Sequence, residues 1–320
     1  MTASVAARMR AAATALLSAL DGPQHALAAR SFTDDAARRR VEYRPRPRPG
    51  VCVGELDIPA RKLAHRLLST ALSDHAYAQA MAITALEEVL DRQEGWERRR
   101  HGGDYWVAVF GDPAGDGPWS WRFEGHHLSV TMTVAGEDVS PAPVFLGANP
   151  ACVRYAGRPV SRPLAAEEDL ARALVDEAGP AAVVSDRAPA DIRTGTRGRA
   201  QDRIEPLGVA AASLGPTARA LLDHLVALYL DRLTPELAAR EHARIAGGPL
   251  HFAWEGPTTP GQRHYYRVQG DDLLIEYDNT TEDGNHAHTV LRRPRGDFGD
   301  DVLAAHHRTA HAGAAPRAGA

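Results

Sequence analysis

Leu273-Leu274-Ile275-Glu276-Tyr277-Asp278-Asn279-Thr280-Thr281-Glu282-Asp283-Gly284-Asn285-His286-Ala287-His288-Thr289-Val290-Leu291-Arg292 reads as two strand-forming runs on either side of a polar turn. Side chains at i and i+2 of a strand share a face. His286 and His288 therefore project together on the second run, and Glu276 and Asp278 do the same on the first. Two imidazoles and two carboxylates gathered by one hairpin suit a metal site. The competing reading is a polar loop carrying two surface histidines.

Working outward, the strand-like runs fall in two neighbourhoods. Leu250–Trp254, His264–Gln269, Leu273–Tyr277 and Thr289–Leu291 form one. Tyr105–Phe110, Trp119–Val134 and Val144–Leu146 form the other. Helical periodicity fills the rest, over residues 3–20, 23–30, from Pro59 and from Asp74 to Arg92, then over 165–177, 217–232, 235–245 and 300–311. Strands clustered between helical blocks, without strict β-α alternation, predict a single compact α+β domain whose sheet is mainly antiparallel. The expected layout is N-terminal helices over 1–40, a Pro/Arg-rich connector over 41–58, an α+β core with the histidine-rich site over 59–311, and a flexible tail over 312–320. Residues 186–207, rich in Arg, Gly and Asp, read as an irregular surface excursion, and no internal repeat is visible.

The bulk composition narrows the function. With 44 % hydrophobic and 24 % charged residues the chain can bury a real core. A net charge of -4 gives no global attraction to nucleic acid, and nucleic-acid-binding motifs are absent. No apolar run approaches the ~18 residues of a membrane span. Ala11–Leu20, behind Arg8 and Arg10, has the outline of a weak signal peptide but runs into Asp21-Gly22-Pro23-Gln24, a helix stop, and is read as a domain helix. The isolated Cys52 and Cys152 make neither a CxxC pair nor a disulfide framework, which fits a reducing compartment. A cytoplasmic protein, with no nucleic-acid or membrane partner, is the expectation.

A second histidine cluster, Glu124-Gly125-His126-His127, lies within the longest strand-like stretch. Glu124 and His126 share a strand face, and a bulge or close backbone approach at Gly125 would turn His127 to the same side. Facing His286 and His288 across a sheet, these residues make a set of imidazoles and a carboxylate that suits iron, copper, zinc or manganese. Two histidines and a carboxylate match the facial triad of non-haem iron oxygenases, and three histidines match a copper or hydrolytic zinc centre. Glu276 and Asp278 then orient the imidazoles or act as a general base. His264, Tyr266, Arg267, Trp121, Arg122 and Asn279 are the expected lining for a planar or carboxylated substrate. HExxH, GxSxG, GxxxxGK[ST] and GxGxxG are all missing, and no glutamate follows His288 at the cupin spacing.

These blocks also carry a resemblance. Trp119–Ser129 (WSWRFEGHHLS), Phe145-Leu146-Gly147-Ala148-Asn149-Pro150, and the GQRHYYRVQG, EYDNT, NHAHTV and GDFGDD segments between Gly261 and Asp301 resemble the uncharacterised family labelled domain of unknown function 3500. The resemblance implies that the same histidine-bearing blocks matter and implies no assigned reaction. The functional expectation is a metal-dependent enzyme, with a non-haem iron or copper oxygenase or oxidase acting on a small molecule or peptide placed first. A zinc- or manganese-dependent hydrolase and a non-catalytic small-ligand-binding protein are the alternatives.

Overall fold

Alternation along the strands decides which face of the sheet meets the helices and which holds the chemistry. In the computed structural model, which describes residues 3–98 and 100–311, the principal strands are β1 (Tyr105–Phe110), β2 (Trp119–Gly125), β3 (Leu128–Ala135), β4 (Val144–Ala148), β5 (His251–Glu255), β6 (Tyr265–Gly270), β7 (Leu273–Thr281) and β8 (His286–Arg292). Their order across the sheet is β1-β2-β3-β4-β8-β7-β6-β5, with every neighbouring pair antiparallel. Short two- and three-residue strands, Ala29–Arg30 and Val183–Ser185, add parallel pairing at the two edges. The architecture is α+β, as expected. The expected tail over 312–320 lies outside the described residues.

Trp119, Trp121 and Phe123 on β2, Leu128, Val130 and Met132 on β3, and Ile275 and Tyr277 on β7 point to one face. There they pack in a continuous apolar core with the helices α1 (Val5–Ala19), α2 (Ile58–Ser69), α3 (Asp74–Gln93), α4 (Ala165–Ala178), α5 (Pro216–Leu230) and α6 (Pro235–Ile245). Val5, Met9, Ala12, Ala13 and Leu16 of α1 are buried in that core, so this segment belongs to the domain. No described helix is long and apolar enough to cross a membrane.

The other face carries the alternate residues: Arg122, Glu124, Ser129, Thr131, Arg267, Glu276 and Asp278, all buried. Buried charge requires partners, and two irregular segments supply them. Residues 37–48 are tied down by Arg122 donating to the Ala37 carbonyl and by the Glu42 amide donating to Glu124. Residues 191–207 are tied down by the Arg193 and Thr194 amides donating to Glu276 and by Gln269 bonding with Ile204. Both stretches, the Pro/Arg run and the presumed surface excursion, thus roof the polar face. A closing helix, α7 (Asp300–His311), follows β8.

The topology also contains a repeat that the sequence hides. Strands β1–β4 and β5–β8 are two four-stranded meanders joined by β4 and β8. Each follows a helix pair, α2–α3 or α5–α6, and the two inter-helix links meet in a bridge at Leu72 and Leu233. Arg122-Phe123-Glu124-Gly125-His126-His127-Leu128 and Arg267-Val268-Gln269-Gly270-Asp271-Asp272-Leu273 occupy the same hairpin of the two halves, with Arg, Gly and Leu in identical spacing. So few positions persist that no periodicity survives in composition.

Candidate metal centre

Gly125 pairs with Leu128, so His126 and His127 are the two residues of a tight turn between β2 and β3, not part of a bulged strand. His127 adopts a φ of 61°, which is unusual outside glycine. The turn sits where it does because Gly125 lets the Tyr105 ring approach; a Cβ there would lie 2.1 Å from Tyr105 Cδ1. The His126 and His127 rings lie 3.7 Å apart, but their nitrogens serve different partners. His127 swings over β4 toward β8, while His126 Nδ1 turns to Glu87 Oε1 on α3, 2.5 Å away.

On β8, His286 and His288 project together onto the polar face, as the period of two demands. His286 Nε2 lies 2.8 Å from His127 Nε2 and 3.0 Å from His288 Nε2. Gly147 on β4, paired with His288, makes the room. A Cβ at Gly147 would sit 2.8 Å from His127 Cδ2 and 3.1 Å from His288 Cδ2. Tyr43 and Phe145 stack at 4.4 Å and wall one side, each within ring contact of His288.

The outer nitrogens of His286 and His288 are held. His288 Nδ1 lies 2.9 Å from Asp191 Oδ1 and 3.3 Å from Asp278 Oδ2. Asp191 is itself fixed by the Tyr43 hydroxyl, which donates to its Oδ2 at 2.6 Å. His286 Nδ1 lies 3.3 Å from both Glu282 Oε1 and Asn149 Nδ2. Burial works against a charge on His288, but Asp278 and the bond to Asp191 outweigh it and hold the imidazole up at about 9. Burial, reinforced by neighbouring imidazoles, pushes His286 down to about 3 and His127 well below its ordinary range.

These facts fit a cation. With its Nδ1 proton facing carboxylates, neutral His288 presents a lone pair at Nε2, and a neutral imidazole has a single N–H to give. Nε2 atoms this close are held together either by N–H···N bonds, which need a proton on one nitrogen of each pair, or by an ion that all three lone pairs face. Carboxylates bonded to the outer nitrogens of metal-ligating imidazoles are the usual supporting arrangement. His127, His286 and His288 offer one ligand atom each within 4.8 Å of one another. Three neutral donors would leave the charge of a divalent ion uncompensated in the inner set, with Asp191 and Asp278 behind it.

The structure separates the remaining expected site residues from this centre. Glu124 is buried beneath the 37–48 segment, where it accepts from the Glu42 amide at 2.9 Å and Ser129 Oγ at 2.8 Å and faces Arg48 and Arg122 at 3.5 and 3.4 Å. Glu276 accepts from Arg193, Thr194 and the Tyr265 hydroxyl, and burial raises its carboxyl. Asp278 alone of the expected carboxylates reaches an imidazole. Trp121 packs in the helix-side core, and Arg122 lies under the roof beside Glu124. His264 is sandwiched against Trp254, centroids 4.4 Å apart, in an aromatic stack continued by Tyr277 and Tyr266 on the helix face. Tyr266 bonds Tyr229, and Arg267 pairs with Glu255 at 2.6 Å. Asn279 Oδ1 accepts from the His264 amide. These residues face their own neighbours across opposite sides of the sheet and do not line a common pocket.

Asp191, Tyr43, Asn149 and Glu282 belong to the centre without having been expected there. Asp191 sits in an irregular run with no local pattern to flag it. Tyr43 had a signal: Val41 and Tyr43 alternate with charged residues as a half-buried extended segment does. Gly147, a glycine inside a strand, also marked a close approach.

A family model described as "Protein of unknown function (DUF3500)" matches residues 2–300, and the chain belongs to that family. No curated protein and no solved structure matches it.

Proposed function

We propose that the chain is a metal-dependent enzyme whose divalent transition ion is held by His127, His286 and His288 and which acts on a small molecule or peptide. The observation that carries this reading is the convergence of three Nε2 atoms at 2.8 and 3.0 Å, with the outer nitrogens of His286 and His288 facing carboxylates. A bound ion of this kind supplies Lewis-acid or one-electron chemistry. The chain's own residues do the rest: Asp191 and Asp278 orient His288, and Glu282, held by Asn149 Nδ2 at 2.9 Å, orients His286. Tyr43 and Phe145 keep water from one side.

Iron or copper in an oxygenase or oxidase is the first reading. Its support is the aromatic wall of Tyr43 and Phe145 against His288, which shields a reactive centre. The three-imidazole set, with Glu124 turned away, favours copper or a three-histidine iron site over the two-histidine, one-carboxylate triad. The second reading is a zinc or manganese hydrolase, in which three imidazoles would hold the ion and a metal-bound water would be the nucleophile.

Metal analysis of protein purified without added metal tests the proposal. A stoichiometric ion, lost when His286 and His288 become alanine, is the expected result. No stoichiometric ion, together with no change in those variants, would sink it. Turnover that persists without dioxygen would decide for the hydrolase.

A further inference from the structure

The alternating Arg44-Pro45-Arg46-Pro47-Arg48-Pro49 run builds a cleft of about 300 Å³ that the metal proposal does not use. One wall is Pro45–Arg48, the other is the end of α3 with Arg98 and Arg100, and Trp106 and His126 also line it. The His126 ring lies 3.7 Å from the His127 ring, so the cleft stands behind the imidazole cluster.

Its charge is lopsided. Four guanidinium groups, Arg46, Arg48, Arg98 and Arg100, line it with the carboxyls of Asp104 and Glu87; Arg46 and Arg48 also pair with Glu42 and Glu124, and Arg98 and Arg100 share Glu94. Glu87, His126 and His127 do present ligand atoms within 4.8 Å of one another. A cation there would meet Arg100 Nη1, 3.4 Å from His126 Nδ1, and the buried charge of Arg48. Like-charge repulsion at that range, in a partly buried site, disfavours an ion and favours an anion.

The donors are unequally committed. Arg48 spends its N–H groups on the Glu42, Arg44 and Arg46 carbonyls and contributes charge alone. Arg100 is locked to Glu94 through Nε and Nη2, at 2.7 and 3.0 Å, with Nη1 turned toward His126. Arg98 is exposed and holds Glu94 by a single long contact of 3.5 Å, an ion pair of the kind that contributes little and is readily exchanged. Trp106 and the two proline rings add flat apolar wall, which a bare inorganic anion does not need.

We propose that this cleft binds a small organic carboxylate, its carboxylate held by Arg98 and Arg100 and its apolar body resting on Trp106. The assignment stands on the cleft and not on the metal reading, so binding is measured by calorimetry on both chelator-treated and metal-loaded full-length protein. With benzoate as probe, saturable binding is expected in both forms, and the neutral isostere benzamide does not bind. Arg98→Gln and Arg100→Gln each weaken benzoate about tenfold, the loss of one charge-assisted contact. Arg98 is exposed, so its variant keeps the test decisive if Arg100→Gln fails to fold. Absence of saturable benzoate binding, equal binding of benzamide, indifference to Arg98→Gln, or inorganic phosphate binding more tightly than benzoate would each overturn the proposal. Benzoate binding by a protein that takes up no ion when metal is supplied would leave it standing and count against the metal centre alone.

Discussion

Gly147 is the residue on which the centre turns, because it concedes the space that two imidazoles fill. Its alanine variant places a methyl 2.8 Å from His127 Cδ2, 3.1 Å from His288 Cδ2 and 3.0 Å from the Ala287 carbonyl. Overpacking of this kind costs about 1–3 kcal/mol, and here the yielding groups are the proposed ligands, His127 and His288. Gly147→Ala is therefore expected to weaken metal binding by tenfold or more while the chain still folds, read by metal titration beside a thermal melt. Asp191→Asn tests the support behind His288: losing an outer carboxylate typically costs 10–100-fold in metal affinity, and an unchanged affinity would remove Asp191 from the account. At this scale the sequence shows only what alternation dictates. His286 and His288 share a face because strands repeat every two residues, and Asp278 follows for the same reason. His127 was expected through a bulge at Gly125 but arrives by a positive φ in a two-residue turn, and Asp191 depends on a contact across the fold that leaves no mark in local pattern.

Among the elements, the Pro/Arg arm and helix α3 are fastened to the sheet by buried charge, and their fastenings titrate and break in predictable ways. Glu124 faces both Arg48 and Arg122 inside the protein. Removing one partner of a buried pair costs about 3–5 kcal/mol, since the guanidinium groups stay behind uncompensated. Glu124→Ala is expected to destabilise by that amount and to expose Arg44–Arg48 to trypsin, with metal affinity retained. Lost metal affinity in a folded Glu124 variant would restore it as a ligand. Glu87 on α3 docks the His126 turn, and burial raises its carboxyl from 4.5 to about 8. A group whose folded pKa lies above its unfolded value favours the folded state fully below the unfolded pKa, and loses that contribution as pH rises through the folded one. Between about pH 4.5 and 8 the wild type should therefore lose stability that Glu87→Gln keeps, measured by denaturant unfolding at several pH values; parallel curves would contradict this. The helices and the antiparallel strands were legible because amphipathic period and turn residues are local. The roofing role of residues 37–48 and 191–207 was not, because proline alternation and an Arg/Gly/Asp-rich stretch look the same whether solvated or pinned over buried carboxylates.

The whole molecule is two related halves with one centre at their seam. The first half contributes His127 from its β2–β3 turn and Gly147 from β4, and the second contributes His286 and His288 from β8. In the corresponding β6–β7 turn the second half carries Asp271-Asp272, and Asp272 pairs with Arg293 at 3.0 Å. Among the described residues that turn has a guanidinium–carboxylate pair where the first half has imidazoles. Because the proposed ligands come from both halves, an ion held by them would stabilise the assembled fold and not either meander alone. A ligand that binds only the folded chain adds about 2.7 kcal/mol at a hundredfold excess over Kd, so the melting temperature should rise with the bound ion and fall back with chelator. The most direct measurement is the stoichiometry and coordination of the ion itself, by elemental analysis and X-ray absorption on the wild type and on His127→Ala, His286→Ala and His288→Ala. One ion per chain with three imidazole nitrogens, lost or reduced in each variant, is predicted; substoichiometric metal, or an ion whose spectrum is unchanged in all three variants, would contradict it.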